Sequence, residues 1–228
     1  MTLKPALTLL SLSAALLLGA CGKKPVPPKE DAPAAVVQPA ATAPTPVAHA
    51  TVDPTEQDEK KAKLEYATME DGYINDAHGQ WAASAKASSS FGEEGDRAPK
   101  TPQESLAWNA VGKPNGNDWS NNQQDVGFDW LELGYEKPVS ATEVRIVSRS
   151  DHAVEALNKV ELIDADGGVH TVWAGLNDQK QDKRGSRTWI VRKLDAPTAY
   201  KVRGVKITFA NNVSSGYKNI DAVQLIGD

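Results

Sequence analysis

The 228-residue chain has little of several things that would identify a function outright. It has one cysteine, four histidines and a formal net charge of only −5. The lone Cys21 rules out an intramolecular disulfide, which in an exported protein leaves pairing between chains or modification of the thiol. The mild charge is spread along the sequence, so no basic patch points to nucleic acid. There is no G-x-S-x-G elbow, Walker loop or H-E-x-x-H zinc motif. His78, His152 and His170 lack the close spacing of metal ligands. Ser150, Asp151 and His152 are neighbours in sequence, whereas a triad converges from separate points of a fold. Acidic pairs such as Glu93 and Glu94 have the residue type that glycoside hydrolysis needs, but nothing marks one pair above another. They read as solvated loop. Asp164-Ala165-Asp166-Gly167 begins like a calcium loop, yet its twelfth position is Gly175 and not Glu. No enzyme is expected.

What is present begins at the N-terminus. Lys4 precedes an apolar run over 6–20 that is too short to span a bilayer and ends in small residues, as the h-region of a signal peptide does. Leu18-Gly19-Ala20-Cys21 resembles the lipobox of bacterial lipoproteins. That resemblance implies a signal peptide over 1–20 and lipidation of Cys21. Several acyl chains hold a protein on a membrane without spanning it. Gly22, where an Asp would favour inner-membrane retention in that family, points to the outer membrane of the cell envelope.

Residues 21–65 read as a Pro/Ala-rich tether. Half of the fourteen prolines fall within 25–46, and no period of 2 or 3.6 appears. The expectation is a disordered, partly polyproline II linker, serving as a spacer or as low-complexity filler. Asp53-Pro54-Thr55-Glu56 is a helix start, with a cap, a proline at the first position and a capping-box Glu. The helix is expected to end near Tyr66 and, lacking a broad apolar face, to be a solvated stub.

From 66 to 228 the pattern changes to short alternating runs between turn clusters. Leu131, Leu133 and Tyr135 share one face, as do Val144 and Ile146, with Glu143 and Arg145 expected outward. Val160-Glu161-Leu162 and Val169-His170-Thr171-Val172-Trp173 flank the Asp- and Gly-rich turn 164–168, a hairpin signal. Further strands are expected over 188–194, 200–209 and 220–226. Many short strands without intervening helices indicate an all-β sandwich or barrel. Trp81, Trp108, Trp130 and Trp173 lie in strand-like motifs and are expected in the core.

Five segments in order resemble discoidin-like, galactose-binding-fold domains (F5/8 type C-like): 81–92; Trp108-Asn109-Ala110-Val111-Gly112-Lys113-Pro114-Asn115; Trp130-Leu131-Glu132-Leu133 with Pro138-Val139 and Thr142-Glu143-Val144; Lys159-Val160-Glu161-Leu162; and Ile220-Asp221-Ala222-Val223-Gln224-Leu225. The resemblance covers nearly all of 73–228. It implies an eight-stranded jelly-roll β-sandwich whose first and last strands pair, a ligand site in the loops at one end, and a possible structural calcium held largely by carbonyls. Segment 151–158 departs from the family's usual stretch before the Lys159 strand.

Candidate ligand contacts follow from the loops. Asp118 and Trp119 lie among small polar residues, so the ring either projects to stack on a sugar or folds back over the sandwich edge. Arg149, Asp151 and His152 follow a strand end, with an Arg149–Asp151 surface ion pair as the competing reading. Asn211, Asn212 and Tyr217 precede the last strand. The expectation is a lipid-anchored envelope protein whose sandwich binds a ligand, carbohydrate or envelope glycan, with a structural or protein-docking lipoprotein as the alternative. Since a fold does not dictate function, the site has to decide between them.

Overall fold

The structure is a computed structural model that describes residues 53–92 and 104–228. The expected signal peptide, Cys21, the expected tether up to residue 52 and the Glu93–Glu94 pair lie outside the described residues.

Helix α1 (Pro54–Ile74) starts where the sequence says. Asp53 Oδ1 accepts from Thr55 N at 2.8 Å and Pro54 occupies the first turn. The helix then runs eight residues past the expected end to the Asn75 cap, despite the weak helix formers Thr68, Asp71 and Gly72. Nor is it a solvated stub. Tyr66, Met69 and Tyr73, spaced three and four apart, fall on one stripe. That stripe packs with Ile74 on Trp81, Val147, Trp189 and Ala222. The helix belongs to a compact unit spanning Ala50–Asp228.

The rest is the expected all-β jelly-roll sandwich. Its strands are β1 (Gly79–Trp81), β2 (Ser84–Ala87), β3 (Trp119–Ser120), β4 (Phe128–Val139), β5 (Ala141–Ser148), β6 (Leu157–Asp164), β7 (Val169–Ala174), β8 (Thr188–Lys193), β9 (Val202–Ala210), β10 (Asn219–Ile220) and β11 (Ala222–Gly227), with a short helix α2 (Asp151–Ala156) between β5 and β6. Among the described residues one sheet runs β1-β11-β5-β8, the other β2-β4-β9-β6-β7, and β10-β3 forms a small ribbon. The first and last strands pair antiparallel, Gly79 opposite Ile226. The β6–β7 hairpin is the expected one. Gly167 takes φ 92° and Asp164 Oδ1 accepts the Asp166 and Gly168 amides.

Period-2 alternation builds the core. Leu131, Leu133 and Tyr135 of β4 and Val144 and Ile146 of β5 face Leu162, Ile190, Val205, Ile207 and Leu225 in one continuous cluster. At about 25 cal/mol per Å² of apolar area removed from water, each such side chain contributes roughly 1.5–3 kcal/mol.

Two expectations fail on the outer faces. Glu143 and Arg145 point away from the core as expected, but both are buried, because α1 and the turn after it cover that face. Arg145 pairs with Asp76 at 2.9 Å and with Glu143, and lies over the Tyr73 ring. None of the four strand-motif tryptophans is fully buried, although Trp173 packs against the main core. Trp108 is exposed, Trp81 is half-buried beside α1, and Trp130 and Trp173 lie half-buried beneath Lys206 and Arg192, at 4.4 and 4.2 Å. Trp119 instead is fully buried.

Candidate functional site

The loops at one end of the sandwich are built on three polar supports. In the first, the fully buried Asp221 at the start of the last strand accepts the amides of Asn115 and Gly116 at 2.9 and 3.0 Å and pairs with Arg187 Nε at 2.8 Å. A buried carboxylate needs such partners. They fix loop 112–118, whose turn uses Gly116 at φ 86°. The second support is Asp129, which accepts from the Ser88 and Ser89 hydroxyls and the Asn121 and Asn211 amides at 2.6–2.9 Å. Burial alone would raise this carboxyl, but the four hydrogen bonds outweigh it and hold Asp129 below the usual carboxylate range. The third is Lys218, fully buried, whose Nζ donates to the carbonyls of Gln124, Asn211, Ser214 and Gly216.

On these supports the structure brings together part of what the sequence proposed. Arg149 Nη1 donates to Gly116 O at 2.5 Å and stands 3.7 Å from Asp118 Oδ2. The Arg149–Asp151 pair anticipated as the competing reading does not form. Asp151 lies exposed at the start of α2 and accepts the His152 amide. Asp118 is mostly buried, and its Oδ1 has no hydrogen-bond partner. Burial first, then the Asp221 charge, push its carboxyl up to about 6 against the pull of Arg149 and Arg187. His152 reaches Ser214 Oγ with Nδ1 at 3.1 Å and lies against Gly216, where any Cβ would run into the ring. The Ser150 hydroxyl donates to Tyr217 O at 3.2 Å, closing the loop end onto β5.

Ser150, Asp151 and His152 do not form a triad. The Ser150 hydroxyl is spent on Tyr217 O, His152 faces Ser214, and Ser214 itself lies 3.2 Å from Glu155. Asp151 stands 3.7 Å from His152 Nε2, beyond hydrogen-bond range. Among the described residues Ser150 therefore has no base within reach.

Trp119 is the clear correction. It pairs with Ile220 across the β3–β10 ribbon, its ring lies 5.8 Å from Phe209 in the core, and its Nε1 donates to Ser89 O at 3.0 Å. It cannot stack on a ligand. The aromatic surface at this end comes from a residue the sequence reading passed over. Phe91, 43% exposed, meets Tyr217 edge-to-face at 5.2 Å. A Phe ending the small-residue run Ser88-Ser89-Ser90, just before Gly92, was the available signal. Asn211 is also reassigned. It is fully buried and serves the Asp129 support, while Asn212 is exposed.

Among the described residues this end offers no ready carboxylate cage for a calcium ion. The described residues hold no group of three or more His, Cys, Asp or Glu side chains suited to a metal. The point richest in inward carbonyls is filled by the Lys218 ammonium. Asp164 is likewise committed, to its own turn and to His170 Nε2 at 2.7 Å.

No protein-family model matches the chain, and no curated protein does. Among solved structures it is similar to the family 32 CBM of C. perfringens NanJ in complex with galactose, with 17% identity over 67% of this chain and 96% of that one and a TM-score of 0.44. It is similar to an F5/8 type C domain from Bacteroides fragilis, with 13% identity, 67% and 98% coverage and a TM-score of 0.49. A Streptococcus pneumoniae fucose binding module gives 13% identity, 64% and 96% coverage and a TM-score of 0.44.

Proposed function

We propose that this end of the sandwich binds a carbohydrate of the cell envelope, and that Cys21 tethers the domain to a membrane, in keeping with an outer-membrane lipoprotein. The observation that carries the binding reading is the Phe91–Tyr217 aromatic pair beside Arg149, Asp118 and His152. Sugars present apolar C–H faces and a ring of hydroxyls. A site for them combines an aromatic surface with a few fixed polar groups that set orientation. Arg149, 45% exposed at its side chain, offers free donors beyond the one used by Gly116, and His152 is held by Ser214. The anchor reading rests on the lipobox-like junction alone.

A second reading, docking of an envelope protein, is favoured by a different feature. Val126, Phe128 and Val213 are all exposed, and they surround Ala210 and Asn211 at the same end of the sandwich. Neighbouring exposed apolar side chains of this kind suit a protein partner more than a sugar.

Glycan-array binding by the full chain, alongside Phe91→Ala and Arg149→Ala, separates the two readings. Carbohydrate binding predicts saturable binding that falls at least about tenfold in each variant, the loss of roughly 1.4 kcal/mol. Binding untouched by both variants places the ligand elsewhere. No glycan bound by a folded sample removes the sugar reading for the glycans tested and leaves cross-linking through Phe128 as the next step.

A further inference from the structure

Lys218 is a charged side chain with no exposed surface. Its ammonium lies 2.6 Å from Gln124 O, 2.6 Å from Gly216 O, 2.7 Å from Ser214 O and 3.1 Å from Asn211 O. An ammonium has three protons, so four carbonyl oxygens converge on one cation with no donor to spare. Convergent backbone carbonyls are how proteins hold metal cations. Here the cation is covalently part of the chain. Burial drives Lys218 toward its neutral form, opposed by the carboxylates of Asp129 and Asp125.

The carbonyls come from the two loops on either side of β9's end, 121–127 and 211–218. The Lys218 amide adds a bond to Asn121 Oδ1 at 2.8 Å, and Asn121 in turn reaches Asp129. Gly216, which supplies one carbonyl, has φ 134° and lies against His152, so the loop closes over the ammonium only with glycine there. The residue beside Lys218 is Tyr217, whose ring meets Phe91. One side-chain charge therefore joins both loops, and with them the Tyr217 half of the aromatic pair.

We propose that Lys218 is a resident cation, its ammonium standing where a metal ion would otherwise be needed to hold loops 121–127 and 211–218 in their ligand-presenting shape. The presentation of Phe91 and Tyr217 rests on the carbohydrate-site reading, but the cage does not. Tethering the cation removes the translational cost of capturing one from solution. It also makes the loop end indifferent to metal supply. The oxygen cluster is already neutralised, and a Ca²⁺ ion would have to expel a covalently attached charge to enter.

The test reads the cage directly and needs no ligand. In the ¹⁵N-lysine-labelled full chain, one ammonium signal should exchange slowly enough to be seen in EDTA, and the melting temperature should be the same in EDTA and in millimolar Ca²⁺. Lys218→Ala should lower Tm by about 5–10 °C in choline chloride. Potassium or calcium chloride at equal ionic strength should restore part of that loss, because the vacated carbonyls become a cation site. Lys193→Ala, which removes an exposed lysine, should show neither effect. Stabilisation of the unaltered chain by Ca²⁺, absence of any protected ammonium signal, or a Lys218→Ala melting point insensitive to cation identity would each overturn the proposal. If Lys218→Ala does not fold, the ammonium signal and the Ca²⁺ comparison on the unaltered chain still decide. Loss of glycan binding by Phe91→Ala bears on the ligand reading alone.

Discussion

Asp118 sits between opposed influences. Its buried, unpartnered Oδ1 and the nearby Asp221 charge favour the neutral acid, while Arg149 and Arg187 favour the carboxylate, and the balance lies near 6. The folded-state value is above the unfolded one of about 3.9. Between those two values the native state binds the extra proton. The group's contribution is therefore most favourable below pH 4, is lost as pH rises to 6, and is constant above. Asp118→Asn keeps the shape and removes the titration. Its Tm should match the unaltered chain at pH 4 and exceed it at pH 7.5 by the equivalent of about 1 kcal/mol, the shift being discounted for solvent screening. Melts at the two pH values check this, and a difference that is the same at both would refute it. The same loop shows why residue-level reading of the site was incomplete. The polar residues around Trp119 suggested exposure. In the fold their polarity is consumed internally, the Asn115 and Gly116 amides by Asp221 and the Asp118 carbonyl by Asn109. A segment so satisfied can turn its one large ring inward. Arg149 is held near Asp118 by its bond to Gly116 O, a backbone atom with no sequence signature.

Helix α1 shows the same limit at the scale of an element. Its start was legible because capping is local: Asp53 and Pro54 act within one turn. Its docking was not, because the partners of Tyr66 and Glu70 lie over a hundred positions away. The Tyr66 hydroxyl donates to Arg187 O at 2.8 Å, and Glu70 Oε1 accepts from Trp189 Nε1 at 3.2 Å and lies 3.5 Å from Arg187 Nη1. The burial of Glu143 and Arg145 follows from that docking, so strand alternation sorted the two faces of β5 correctly while misjudging what covers the outer one. Glu70→Ala strips Trp189 and Arg187 of a shared acceptor and should cost about 1–3 kcal/mol. It should also shift Trp fluorescence to the red as Trp189 meets water. Tyr66→Phe, which removes the hydroxyl shared between Arg187 O at 2.8 Å and Glu70 Oε1 at 3.2 Å, should cost about 1–2 kcal/mol and leave the emission maximum in place. If the two variants melt together at the unaltered Tm, α1 does not stabilise the sandwich.

At the scale of the whole molecule the sandwich itself was readable, because it depends on repeated period-2 burial, written in residues such as Leu131, Leu133, Val144 and Leu225, whereas the pairing of first and last strands came only as an implication of the resemblance. The proposed anchor is a separate matter of chemistry at one atom. If Cys21 carries acyl chains, each buried CH₂ contributes about 0.8 kcal/mol, and two or more chains give stable membrane residence. No described helix is long and apolar enough to cross a membrane. Cys21→Ser removes the thiol while leaving residues 22–228 untouched. It should abolish incorporation of labelled palmitate and, in cells, shift the domain from the Triton X-114 detergent phase to the aqueous phase. Glycan binding by the variant should be unchanged, because Cys21 is remote in sequence from every residue of the loop end. Continued labelling in the variant would refute the lipobox reading. A change in glycan affinity would mean that the N-terminal segment takes part in the site.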